Sequence, residues 1–128
     1  MVTQPDTIRD YRDLIVWQEA MDIAELIYSL TRSFPREEAF GLVSQMRRAA
    51  VSIPSNIAEG FGRAQRRSFV QFLRISQGSL KELETQAQLA YRVGMLDTEG
   101  LTDVLGRTER LGKRLVQFVR SLERGALE

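Results

Sequence analysis

Val104, Thr108, Leu111, Leu115, Phe118 and Leu122 recur at alternating steps of four and three. That spacing keeps one stripe on one side of an α-helix for more than five turns, and it is incompatible with a strand, whose faces alternate every two residues. Arg107, Arg110, Lys113 and Arg114 are turned away from the stripe. No strand-like alternation, internal repeat or low-complexity tract occurs elsewhere in the 128 residues. A long helix with a single core-facing seam needs other helices to bury it, so the fold class is all-α.

Three further helical segments accompany this one. The first spans residues 10–33 and stops before Phe34-Pro35. Pro35 suits the first position of the second segment, with Glu37 and Glu38 in the turn where the helix dipole favours negative charge. The second segment runs to about Gly60. Pro54 interrupts it, removes one backbone hydrogen bond, and predicts a kink rather than a stop. Gly60-Phe61-Gly62 makes the next turn, and the third segment covers residues 65–93, with Gly94 placed as its left-handed cap. Asp97 is a good N-cap for the fourth, which runs to about Arg124. Four long rods with short connections predict an antiparallel up-down-up-down bundle over residues 10–124, a flexible segment over 1–9 and a short tail over 125–128.

The first segment differs from the fourth. At about 100° per residue, Leu14, Trp17, Met21, Ala24 and Tyr28 form one apolar stripe, and Ile15, Ile23, Leu26, Ile27 and Leu30 form another roughly opposite. A bundle needs one buried stripe per helix. The second is therefore expected to meet another copy of the chain, giving a ring-like homo-oligomer.

Composition excludes several chemistries. The chain has no cysteine and no histidine, which removes disulfides, thiolate metal sites and the commonest general base and transition-metal ligand. Ser52, Ser55 and Ser79 have no partner base. Glu82 and Glu84 do not face one another on a helix, and Gly60-Phe61-Gly62 lacks the strand and the lysine of a phosphate loop. The expectation is a protein that is not an enzyme and has no cofactor or metal. No apolar run approaches the length of a membrane span, and the polar first residues carry no secretory pattern, which suits a cytoplasmic protein with no membrane partner.

The net charge of +1 conceals an uneven distribution. Residues 1–40 hold 4 basic and 8 acidic side chains, net −4; residues 41–81 hold 7 basic and 1 acidic, net +6; residues 82–128 hold 7 basic and 8 acidic, net −1. The positive block attracts anions, although a solvated basic face would have the same composition. On the third segment Arg67, Arg74, Lys81 and Arg92 share a narrow arc with Gln77, Thr85 and Gln88. Arg47, Arg48, Arg63 and Arg66 are expected to add to one positive end. The candidate nucleic-acid contacts are accordingly Arg47, Arg48, Arg63, Arg66, Arg67, Arg74 and Lys81. Phe61 is the one aromatic nearby that could stack on a base, so recognition would follow backbone and shape.

Small residues explain the rest of the second segment. Ala49, Ala50, Ser52, Ala58 and Gly60, facing Ser76, Gly78 and Ser79, would let two helices approach closely. Asn56 and Glu59 would pair with neighbouring backbone or hydroxyl groups, a direct ligand contact being the alternative.

These residues also carry a resemblance. Tyr11-Arg-Asp-Leu-Ile-Val-Trp17-Gln18, Phe34-Pro35, the run Gln45-Met-Arg-Arg-Ala-Ala-Val-Ser-Ile-Pro-Ser-Asn-Ile-Ala-Glu-Gly60, and Gly78-Ser-Leu-Lys-Glu-Leu-Glu-Thr85 resemble the bacterial four-helix bundle proteins encoded in intervening sequences of 23S ribosomal RNA genes. The resemblance extends from about Tyr11 to Leu122 and is most specific in Ser-Ile-Pro-Ser-Asn-Ile-Ala-Glu-Gly. It implies a homopentameric bundle similar to the accessory proteins of diversity-generating retroelements, which engage nucleic acid and a reverse transcriptase. It supplies no catalytic residues. One departure stands out: where the family commonly has a Ser or Thr cap and an acid before the third helix, this chain reads Arg63-Ala-Gln-Arg-Arg-Ser-Phe69. The missing cap costs about 1 kcal/mol, and the exchange makes this end more basic.

The functional expectation is a homo-oligomer that binds nucleic acid, RNA before DNA, through a basic surface of the second and third helices. The alternative is a protein-interaction scaffold that recruits a nucleic-acid enzyme such as a reverse transcriptase.

Overall fold

Four long helices account for most of the chain in the computed structural model, which describes residues 8–125. They are α1 (Ile15–Thr31), α2 (Leu42–Gly62), α3 (Arg66–Arg92) and α4 (Thr98–Glu123), with one-turn 3-10 helices at Tyr11–Asp13 and Arg36–Glu38. No strand occurs among the described residues. Most of the expected N-terminal segment 1–9 and of the tail 125–128 lies outside the described residues.

Each helix packs on its neighbours in the chain, and α4 closes back on α1. Across the α2–α3 contact the partners run in opposite directions: Ser52 meets Ser79, Ser76 meets Ile53, and Gly60 meets Phe72. The two helices are therefore antiparallel, as a three-residue connection requires. At that end Phe61, Phe69 and Phe118 form edge-to-face ring pairs at 5.8 and 5.5 Å, tying the end of α2 to α3 and α4.

The seam expected on α4 is the one observed. Val104, Thr108, Leu111, Leu115, Phe118 and Leu122 are all buried. Both predicted caps of the α3–α4 connection are also present. The Asp97 carboxylate accepts from the Gly100 N–H at 2.7 Å. Gly94 adopts φ +83° while its N–H donates to the Tyr91 carbonyl at 3.1 Å and Met95 N–H donates to Ala90 at 2.9 Å, the paired bonds of a left-handed helix cap.

The boundaries of α1 and α2 differ from expectation. The capping box of Asp10 and Asp13 closes the Tyr11–Asp13 turn instead of opening α1, which starts at Ile15. Pro35 precedes only the Arg36–Glu38 turn, because Gly41 leaves helical geometry before α2 begins. Glu38 still serves a helix start, since its carboxylate accepts from the Leu42 N–H at 3.1 Å. At the far end α2 continues through Gly60-Phe61-Gly62, and the turn falls at residues 63–65, with Ala64 at φ +60°. Gln65 caps α3 without a side-chain hydrogen bond, in keeping with the missing Ser or Thr there. Pro54 is buried inside an unbroken helix, so the chain does not stop there.

Gly60 is a packing residue and not a turn residue. A Cβ placed on it would stand 2.6 Å from the Phe72 Cβ and 3.1 Å from the Phe69 ring. Alanine normally improves on glycine in a helix by about 1 kcal/mol. Here the sign reverses, and Gly60→Ala is expected to destabilise by about 1–3 kcal/mol through overpacking. A lower denaturation midpoint at unchanged denaturant slope checks this; a raised midpoint contradicts the close α2–α3 approach.

Candidate nucleic-acid interface

The polar residues of the central motif are engaged with one another. The Ser52 and Ser79 hydroxyls lie 2.8 Å apart across the α2–α3 contact. Asn56 Nδ2 donates to the Ser52 carbonyl at 2.8 Å and to its hydroxyl at 3.0 Å. Ser76, fully buried, donates at 2.9 Å to the carbonyl of Ile53, the residue before Pro54. This ladder satisfies groups whose burial without partners would cost about 1–3 kcal/mol each. Glu59 is exposed and pairs with Arg63 at 2.9 Å. Gly78 is also exposed, with nothing within 4 Å of where its side chain would start, so it does not serve the close approach expected of it.

The candidate cations fall into separate groups. The unbroken α2 separates Arg48 from Arg63 by 15 residues, about 22 Å along the axis at 1.5 Å per residue. Arg47 and Arg48 thus stand near one end of the helix, and Arg63, Arg66 and Arg67 surround the α2–α3 turn at the other. The single positive end expected of Arg47, Arg48, Arg63 and Arg66 does not form, because a rigid rod keeps them apart.

Their surroundings differ as well. Arg47 is half-buried: its guanidinium donates to the Thr31 hydroxyl at 2.9 Å and lies 4.5 Å from the Tyr28 ring centre, fastening α2 to α1. Arg63 pairs with Glu59 and stacks 5.1 Å from the Phe72 ring centre. Arg66 lines a pocket with Phe61, Gln65 and Phe69. On α3, Arg74 pairs with Glu123 of α4 at 3.1 Å across exposed surface, and the exposed Lys81 pairs at 3.0 Å with Glu84, whose carboxylate is buried. Arg48 and Arg67 are exposed and make no ion pair among the described residues.

The apolar surface of α1 is distributed differently from the two opposed stripes. The core stripe is Val16, Ala20, Ile23, Ala24, Ile27 and Thr31, drawn partly from each. Ile23, only 1% exposed, belongs to the core. The face left open is that of Trp17, Met21 and Tyr28, which with Val51 and Pro54 of α2 lines a groove of about 500 Å³. A second groove of about 580 Å³ continues it past Val43 to Phe40.

Arg114 likewise does not turn wholly outward. It meets Glu19 of α1 at 3.1 Å, both side chains about three-quarters buried, in a contact more ionic than well-aligned hydrogen bond. Burial pushes the Glu19 carboxyl above its usual range, against the opposing pull of Arg114 and Arg110.

One basic stripe was missed by segment-wise counting. Arg110, Lys113, Gln117, Arg120 and Arg124 recur at steps of three and four on the outside of α4, and all are exposed. Their spacing is as legible as that of the seam. The net charge of −1 over residues 82–128 hides them, because Asp103, Glu109 and Glu123 of the same helix offset them in the sum.

Among the described residues no group of acidic side chains could hold a metal ion, and no helix is long and apolar enough to cross a membrane. The architecture is that of an all-helical protein of four long helices with segregated basic and apolar surfaces. Residues 12–117 match the family described as 23S rRNA-intervening sequence protein, and the chain belongs to that family. A crystal structure of a protein with unknown function from the S23 ribosomal protein family of Bacteroides thetaiotaomicron has a similar fold, with a TM-score of 0.77 and 22% identity over 83% of this chain and 96% of that one. No curated protein matches the chain.

Proposed function

We propose that the protein is a non-enzymatic homo-oligomer that binds nucleic acid, RNA before DNA, through exposed cations of α2 and α3. The observation that carries this reading is the acid-free row Arg67, Arg74, Lys81 and Arg92 along α3, exposed over its whole length and joined by Arg48 of α2. The Arg74–Glu123 pair is exposed, and such a pair is worth at most about 1 kcal/mol, so a phosphate can displace the carboxylate; Lys81 sits over the buried Glu84 with its own ammonium still exposed. Self-association is assigned to the open α1–α2 face, where Met21 is 44% and Tyr28 39% exposed. A five-fold ring follows from the family resemblance, and a bend at Pro54 would help α2 follow the curve of the bundle. The cytoplasm is the compartment that suits such a role.

Anisotropy of a labelled RNA at low salt tests the reading. Arg67→Ala with Arg74→Ala is expected to weaken binding about tenfold while the oligomer stays intact. Unchanged affinity in that variant would remove α3 from the contact.

Phe40 favours a second reading. A large aromatic ring almost wholly in water at the head of α2 suits a protein partner, such as a nucleic-acid enzyme recruited by the assembly. Retention of RNA binding in Phe40→Ala, with loss of a co-purifying polymerase, would separate that role from RNA contact.

A further inference from the structure

The exposed arc of α3 does not face open solvent alone. Its edge forms one wall of a groove of about 790 Å³ whose other wall is α4. Gln77 and Lys81 line it from α3, and Lys113, Gln117 and Arg120 from α4, with Glu109 as the one carboxylate in the lining. Leu80 packs over Gly112 at the floor, which sets Lys81 beside Lys113. The Arg74–Glu123 pair sets Arg74 within a turn of Arg120. Two cations therefore stand across from two others at two levels, and each helix repeats its cation after seven residues, about 10.5 Å.

Cations facing one another across a groove repel, and the carboxylates present are too few to neutralise them. Glu84 and Glu123 are engaged with Lys81 and Arg74, and Lys113 and Arg120 make no ion pair among the described residues. Arg124 extends the α4 row beyond Arg120, and Gln77, Gln88 and Gln117 interleave both rows with neutral donors. Such a channel is suited to a ligand that is itself a line of regularly spaced negative charges.

The geometry points to the α3–α4 groove as the seat of the nucleic-acid phosphate backbone, with Lys113 and Arg120 of α4 supplying half of the contact. The inference rests on the nucleic-acid reading above and moves its centre from the α2–α3 side to the α3–α4 side. Arg48 becomes peripheral, Arg74 exchanges its exposed Glu123 partner for a phosphate on binding, and the exposed Lys81 ammonium meets phosphate while staying beside Glu84.

The test uses the full chain with two labelled probes, an oligouridylate and an RNA hairpin, and measures affinity as salt is varied. Lys113→Ala with Arg120→Ala is expected to bind both probes about tenfold more weakly at low salt. Its log–log salt slope should be shallower by about 1.4 to 1.8 for two lost phosphate contacts. Lys113→Gln with Arg120→Gln, which retains side-chain bulk, should match it, and helicity and assembly mass should be unchanged in both. Arg32→Ala with Arg36→Ala removes the same charge from the α1–α2 connection and should leave affinity within about twofold. Equal weakening in that control would reduce the effect to net charge and overturn the groove. Wild-type affinity in the α4 variants, with weakening in the α3 variant, would also overturn it while leaving the nucleic-acid reading in place. Failure of the wild-type protein to bind either probe at low salt would overturn both.

Discussion

Raising salt from about 50 to about 200 mM is expected to lower the affinity for RNA by roughly a thousand-fold or more if the proposed assembly engages six or more phosphates. Each phosphate neutralised by lysine or arginine releases condensed counterions, and the entropy of that release falls as bulk salt rises. Base stacking and apolar contacts lack this dependence, so the slope separates backbone recognition from the other modes. Residues 41–81 carry a net charge of +6, and an assembly presents that segment once per subunit. Linked sites on one strand then act with high effective concentration, so a weak contact per subunit sums to a firm one. A salt-insensitive affinity, or no affinity at low salt, would favour the scaffold reading.

Ile23→Glu and Met21→Glu, two residues apart on α1, are expected to fail in different ways. Ile23 is 1% exposed among the core residues of the bundle. Burying an unpaired charge costs several kcal/mol, a large part of the roughly 5–15 kcal/mol that holds a domain together. The Ile23 variant should lose its cooperative thermal transition. Met21 is 44% exposed in the α1–α2 groove, so a glutamate there remains hydrated in the free subunit. That variant should keep its helicity and dissociate to the 14.6 kDa chain in light scattering. An unchanged assembly mass would show that the groove is not the interface, and a wild-type monomer at micromolar concentration would remove the oligomer altogether.

The contrast between α4 and α1 shows what could be read from residue order. On α4 one apolar stripe recurs at steps of four and three, with only Leu101, Leu105, Val116 and Val119 as large apolar residues off it, so periodicity named Leu111 and Leu115 as core. Asp97 and Gly94 were equally legible, because a cap depends on a few adjacent residues. On α1, apolar residues occupy most of the circumference, and periodicity offers several stripes of similar strength. The choice is made by what packs against it: α2 fastens to Tyr28 and Thr31 through Arg47, and α4 to Glu19 through Arg114. Those contacts join residues 16 and 95 positions apart. The interface was half legible for a related reason. Charge summed along the chain located the cations of α2 and α3 but cancelled those of α4, because a sum over a segment carries no helical periodicity.

The hydroxyl and amide ladder between α2 and α3 has a mechanical consequence. Sliding one of these helices past the other by a turn would separate Ser52 from Ser79 and Ser76 from the Ile53 carbonyl together, and Gly60 would no longer sit opposite Phe72. Shear along that pair is therefore resisted by several directional bonds and a steric notch at once. Among the described residues the α3–α4 contact shows no comparable row of directional bonds: Leu80 packs over Gly112 at its floor, and the Arg74–Glu123 ion pair across it is exposed. An occupant of the groove would therefore meet less directional resistance along the α3–α4 contact than along the α2–α3 one.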